Sequence, residues 1–140
     1  MAIQTTYSEN MDAGRLGAIA DMSNKTLLSR NAEEVVGFGL PVVQGTADNG
    51  ARKSTTGDTD IIGISVRERS TLDDEFAIGD SIRVLTEGAI WVTASVAVDA
   101  GDTVHVIVAT AEFGKTGGVE LNAIYETSAA IGELTKVRLA

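Results

Sequence analysis

The side chains able to do chemistry are few and widely spaced. His105 is the single histidine of the 140 residues, so a Ser-His-Asp triad would have to use it, with Ser81 and one of the aspartates as partners. It stands between Val104 and Val106 in an alternating apolar run, which puts it on the less apolar face of a strand, and no spacing pairs it with a serine or an aspartate. With one His and no Cys, a His-based metal site fails on ligand count. Ala109-Thr110-Ala111-Glu112-Phe113-Gly114-Lys115-Thr116 fits a relaxed phosphate loop with Ala in place of the first Gly. Such a loop works by aiming backbone N–H groups and a helix N-terminus at phosphates, and the following Gly117-Gly118-Val119 cannot open a helix. Asp58-Thr59-Asp60 and Asp73-Asp74-Glu75 gather carboxylates as a hard cation such as calcium requires. Neither has the spacing of a twelve-residue calcium loop, so both read as solvated charge runs. No enzyme activity, cofactor or metal follows from these residues.

The elements that would hold them are strands. Gly79–Val108 is the most regular stretch: a Gly-Asp turn and an alternating apolar run occur twice, at Gly79-Asp80 and at Gly101-Asp102. Ile82 and Val84 share one face, as do Ile90, Val92, Ala94, Val96 and Val98, and then Val104, Val106 and Val108. Glu87-Gly88 supplies turn chemistry between the first two runs, so the stretch reads as an antiparallel meander with one buried face. Its other face carries Arg83, Leu85, Trp91, His105 and Ile107 among Ser and Thr. That mixture suits a subunit interface, or coverage by the N-terminal half of the chain.

The rest of the chain reads as shorter strands. Lys25–Arg30 is a first strand, and Val35–Gln44 is an apolar run interrupted by Gly37, Gly39 and Pro41, placing it at an edge, at a bulge or split. Gly45–Asp60 reads as one long polar loop with Arg52-Lys53 at its middle. Ile61–Arg67 is a strand, Ala109–Gly118 a Gly-rich loop, Val119–Leu121 and Ile124-Tyr125 weak strand, and Leu134–Leu139 a last strand. No segment sustains an i, i+3, i+4, i+7 apolar pattern, so helix is not expected. The expected fold is all-β: a small antiparallel β-sandwich or β-barrel-like domain over residues 18–140, behind an extended N-terminal arm, residues 1–17. The arm carries Ile3, Tyr7, Met11 and Leu16 in a polar background and orders only by docking.

Hydrophobic residues make up 44% and aromatics 4%, so the core must be aliphatic. The formal net charge is −9, which argues against a nucleic-acid partner, since phosphate neutralisation needs clustered Lys and Arg. Residues 1–70 hold seven basic and nine acidic side chains, and residues 71–140 hold four and eleven. The acidic half is the regular β half. We expect the irregular, more basic half to face a protein partner. No run of 18 apolar residues and no basic-then-apolar start is present, so neither a membrane span nor a secretory leader is expected, and the chain reads as made in the cytoplasm.

Taken in order, Leu28-Ser29-Arg30, Gly37-Phe38-Gly39-Leu40-Pro41-Val42-Val43-Gln44-Gly45, Ile62-Gly63-Ile64-Ser65-Val66-Arg67, Ile78–Gly88, Ala100-Gly101-Asp102-Thr103-Val104 and Gly132-Glu133-Leu134 resemble the structural cement, or capsid decoration, proteins of tailed bacteriophages. The resemblance spans roughly residues 25–140. It implies a β-rich protein that oligomerises, commonly as a homotrimer, binds the major capsid protein on the outer surface of the expanded head, and stiffens the shell, with no catalytic residues to transfer. On that reading Ile3, Tyr7, Arg15, Arg52 and Lys53 are the expected capsid contacts, and Arg83, Leu85, Trp91, His105 and Ile107 the expected oligomer contacts. Two alternatives are a fibre or adhesin β-domain for a small ligand or glycan, which would want clustered aromatics, and a carrier-type module, which would want a Lys at the Glu87-Gly88 tip.

Overall fold

The computed structural model describes residues 15–20, 25–67 and 75–140, and these are all-β, with no helix among them. The strands are β1 (Thr26–Ala32), β2 (Val36–Gly37), β3 (Pro41–Gln44), β4 (Gly50–Lys53), β5 (Ile61–Ser65), β6 (Glu75–Phe76), β7 (Ser81–Thr93), β8 (Thr103–Ile107), β9 (Glu112–Gly114), β10 (Val119–Tyr125) and β11 (Leu134–Leu139). Hydrogen bonding runs β1-β4-β3-β5-β7, and β1 pairs back onto β7, which closes a five-stranded barrel-like sheet. The same β7 continues into a second sheet, β7-β11-β10-β8-β9. There Ala94 bridges Phe113, and Ser95 N–H donates to the Phe113 carbonyl at 2.9 Å, so β9 folds back beside the end of β7. Closing both sheets on one strand leaves few open edges to template aggregation.

The expected hairpin at Glu87-Gly88 is absent: β7 is one continuous strand of 13 residues. Its first half is flanked by β1 and β5, while β11 takes over at Gly88. Gly88 has φ +125°, a conformation that glycine alone adopts readily. Across this point the residues facing the second core change from odd to even, from Leu85 to Ile90 and Val92. Turn residues here redirect a strand without ending it.

Two further departures come from short strands inside polar or Gly-rich sequence. The expected loop 45–60 contains β4, whose Ala51 is fully buried, and the expected loop 109–118 contains β9, whose Phe113 is buried. Pro41 is the first residue of β3, where the missing N–H costs no ladder bond. The strand lies between β4 and β5 and bulges between Val42 and Val43.

Each sheet has its own core. Ala32, Val36, Phe38, Val42, Ala51, Phe76, Ile82 and Val84 fill the first, where Phe38 and Phe76 meet edge to face at 5.0 Å between centroids. The second is larger, built on Ile90, Val92, Val104, Val106, Phe113, Tyr125 and Val137, and it also takes Ile64 and Leu85 from the first sheet. Those two side chains tie the sheets together by packing as well as through the shared strand.

Candidate functional site

Period-2 alternation sends every second side chain of β7, β11, β10 and β8 outward, and these outward groups form a mixed polar and apolar surface on the second sheet. Trp91 stands opposite Lys136, His105 opposite Glu120 and Gly114, and Ile107 opposite Glu112. Trp91, His105 and Ile107 are all half-buried. The structure therefore brings three of the five expected oligomer contacts onto one sheet. Trp91 is not on a strand adjacent to the other two: β11 and β10 lie between β7 and β8 one way round, and β9 the other. His105 Nδ1 sits 2.9 Å from the Gly117 carbonyl, which only accepts, so Nδ1 carries the proton.

The other two expected contacts fall elsewhere. Leu85 has no exposed surface and packs in the second core, so as an outward contact it is corrected: Val84 and Leu85 point to opposite faces of β7, and both faces are covered there, one by each core. Arg83 is exposed on the first sheet opposite Ser29, eight residues and about 26 Å of extended strand from Trp91.

The charged group on the second sheet's outer face is a triplet. Glu126 accepts from Arg138 Nε and lies 3.3 Å from Lys136 Nζ. The hydrogen bond from Arg138, with Lys136 adding, holds the Glu126 carboxyl below its usual range. Each ion is partly exposed, so the triplet contributes modestly to stability and mainly fixes side-chain directions beside Trp91.

Arg15–Ala20 lies against β7 on the edge opposite β11. Gly17 N–H donates to the Trp91 carbonyl at 2.8 Å, Trp91 N–H to Ala18 at 3.0 Å and Ala20 N–H to Ala89 at 2.9 Å. Arg67 secures this segment by donating from Nε to the Leu16 carbonyl at 2.9 Å while its guanidinium sits 5.1 Å over the Phe38 ring. Gly17 and Gly39, both at positive φ, approach so closely that a Cβ on Gly17 would lie 2.9 Å from the Gly39 nitrogen. Of the expected capsid contacts, Arg15 is exposed at the start of this segment, whereas Ile3 and Tyr7 lie outside the described residues.

Arg52 and Lys53 on β4 behave differently from one another. Arg52 grips Asp58 through two bonds of 2.8 and 2.9 Å, and Asp58 also accepts from Thr55 N–H at 2.7 Å. The fork from Arg52 holds the Asp58 carboxyl far below the usual carboxylate range. Arg52 thus closes the turn between β4 and β5, while Lys53 is exposed. The same pairing occupies the Asp58-Thr59-Asp60 run considered for calcium; Asp73-Asp74 lies outside the described residues. The phosphate-loop-like segment is β9 followed by Gly117 and Gly118, both at positive φ, leading directly into β10. Nothing in the sequence marks Tyr125 as a key residue, yet it is fully buried and donates its hydroxyl to the Gly114 carbonyl at 2.6 Å.

Among known proteins, the family model described as structural cement protein (E217 gp24/Pam3 gp6) matches residues 3–140. No curated protein matches in sequence. Among solved structures, the chain is similar to one from the capsid of Myoviridae phage XM1, with a TM-score of 0.71 at 12% identity, covering 99% of this chain and 98% of that one. It is also similar to the head fiber gp8.5 N base of bacteriophage phi29, with a TM-score of 0.58 at 15% identity, covering 84% of this chain and 95% of that one.

Proposed function

The chain belongs to the structural cement protein family of phages, and from that premise we propose that it decorates the outer surface of the mature head and stabilises it as an oligomer, a trimer by family resemblance. The observation that carries this reading is the family match over residues 3–140, nearly the whole chain. The architecture supports it. Two sheets locked on one strand make a stiff body, and stiffness lets many copies share strain across a shell. Weak contacts repeated on one particle add up by multivalency.

In this reading the face around Trp91, His105 and Ile107 meets a neighbouring copy. The arm with Ile3 and Tyr7, the exposed Arg15 and the exposed Lys53 supply contacts to the major capsid protein. The experiment is co-sedimentation of the protein with emptied capsids, paired with light scattering of the free protein. Binding to capsids and a mass above one chain are expected. A monomer that ignores capsids refutes the reading. Trp91→Ala should lower the assembly mass, because aromatic anchors at interface centres carry a large share of binding energy.

A further inference from the structure

The turn from β3 to β4 presents the one Asn-Gly pair of the chain, Asn49-Gly50. Asn49 is exposed and Gly50 is buried. A glycine has no side chain to shield its nitrogen, so in such a pair that nitrogen can reach the asparagine side chain. The Gly50 nitrogen would attack Cγ of Asn49, forming a bond there as the Cγ–Nδ2 bond breaks. The amide proton leaves with Nδ2 as ammonia, and a five-membered succinimide closes. Water then opens the ring at either carbonyl, giving aspartate or isoaspartate. The isoaspartate form carries an extra methylene in the backbone.

The attack requires the peptide between Asn49 and Gly50 to swing, and this fold holds that peptide on both sides. Gly50 N–H donates to the Ala47 carbonyl at 3.0 Å, Asn31 N–H to the Asn49 carbonyl at 2.8 Å, and Gly45 N–H to the Gly50 carbonyl at 3.0 Å. Gln44 Nε2 donates to the Ala47 and Asp48 carbonyls at 2.7 and 2.9 Å. Glu33 closes the turn from the other strand. Its carboxylate accepts from the N–H groups of Thr46 and Ala47 and from the Thr46 hydroxyl, at 2.8 to 3.0 Å. It also lies so close over Gly50 that a Cβ there would collide with Glu33 Oε2. The Ala47 and Thr46 N–H groups keep this carboxyl ionised. A negative charge against Gly50 opposes the amide anion through which the attack proceeds.

We infer that Asn49 is a deamidation site held closed by this turn, with Glu33 and Gln44 as its pins, and that its modification opens the first sheet in one direction only. The consequence follows from where the pair sits. β1 and β4 run parallel and are in register only at Asn31 with Gly50 and Ala32 with Ala51. Asn31 N–H to Asn49 and Glu33 N–H to the Ala51 carbonyl, at 2.9 Å, flank this short seam, which helps close the five-stranded sheet. A methylene added between Asn49 and Gly50 displaces Gly50 and the fully buried Ala51 from their partners. The reaction consumes only water, and the inference is independent of what the protein binds.

The test follows the full chain at pH 8 by peptide mass spectrometry, reading the exchange of amide for acid at Asn49, with Asn31 and Asn122 as internal references. Wild type unfolded in urea should deamidate at Asn49 at least about tenfold faster than native wild type. Folded Glu33→Gln and folded Gln44→Ala should also gain about tenfold, because each loses hydrogen bonds that hold the turn shut. Gln44 is exposed, so Gln44→Ala keeps the test open if Glu33→Gln does not fold. A thermal melt above the assay temperature shows which variants are folded. Native wild type that deamidates as fast as the unfolded chain overturns the lock. Folded variants that both keep the wild-type rate overturn the pins, and acceleration in either supports them. The isoaspartate form, isolated from aged protein, should melt below Asn49→Asp, which has the same charge on a normal backbone. Equal melting of those two overturns the opening of the seam.

Discussion

Tyr125→Phe isolates one buried hydroxyl. Tyr125 has no exposed surface, and its hydroxyl spans from β10 to the Gly114 carbonyl of β9 at 2.6 Å. Phenylalanine keeps the ring and its packing but strips the carbonyl of its donor. Losing such a bond inside a core costs about 1–2 kcal/mol. For a chain of this length the unfolding entropy is about 0.3 kcal/mol per kelvin, so the melting midpoint should drop by about 3–7 °C. A second, independent effect appears at alkaline pH. Burial, with a smaller contribution from Asp102, pushes the Tyr125 hydroxyl up to about 12 from the ordinary 10. The folded state therefore holds this proton more tightly than the unfolded one. The associated stability is complete below pH 10 and is lost as pH rises from 10 to 12, up to about 2–3 kcal/mol. Tyr125→Phe has no proton to lose there. Urea unfolding of wild type and variant at pH 8 and pH 11 reads both effects, and subtracting the two proteins cancels the other titrating groups. Equal stability at pH 8, or equal losses between pH 8 and 11, would refute the role assigned to the hydroxyl.

Gly63→Ala would place a Cβ 2.1 Å from the Leu85 carbonyl, between two backbones that cannot both move, so unfolding free energy should fall by about 3 kcal/mol or more in a denaturant titration. The Glu33 carboxyl is held below its usual range, chiefly by the Ala47 and Thr46 N–H groups. Hydrogen-exchange protection of those two amides should then persist at neutral pH and disappear as pH falls through the lowered value, and Glu33→Gln should weaken it at neutral pH and remove that pH dependence. A double-mutant cycle on Arg52→Ala and Asp58→Ala should give a coupling of about 0.5–1 kcal/mol, the range of a partly exposed pair. If Arg52 serves the β4–β5 turn alone, capsid co-sedimentation of Arg52→Ala should match the wild type.

The all-β class and most of the longer strands were legible because alternation is a local signal, but the expected aliphatic core is corrected: Tyr125 and all three Phe are the largest fully buried side chains. Val104 and Val106 announce β8 by themselves. β4 and β9 were not legible, since a strand of three or four residues such as Glu112–Gly114 has too few positions to show a period. It is defined by partners far along the chain. Glu87-Gly88 carried turn chemistry, but the choice between reversing a strand and redirecting it depends on which strands lie alongside. The outward position of Trp91, His105 and Ile107 followed from parity. The inward position of Leu85 did not, because it requires a second core on the far side of the same strand. Arg52 illustrates a further limit: its partner Asp58 is six residues away and easily seen, but whether a basic side chain reaches a partner protein or its own loop is settled by the turn between them.

A strand held by separate neighbours at its two ends also has a mechanical consequence. β7 is about 43 Å long if fully extended, gripped by β1 and β5 along its first half and by β11 along its second. Tension applied between the two sheets runs along the strand's own axis. The backbone bonds lie across that axis, so they are sheared together and do not open one after another. Rupture then requires many bonds to fail in a single event, and lifetime under tension is set by the height of that barrier. A strand held in this way yields late and all at once.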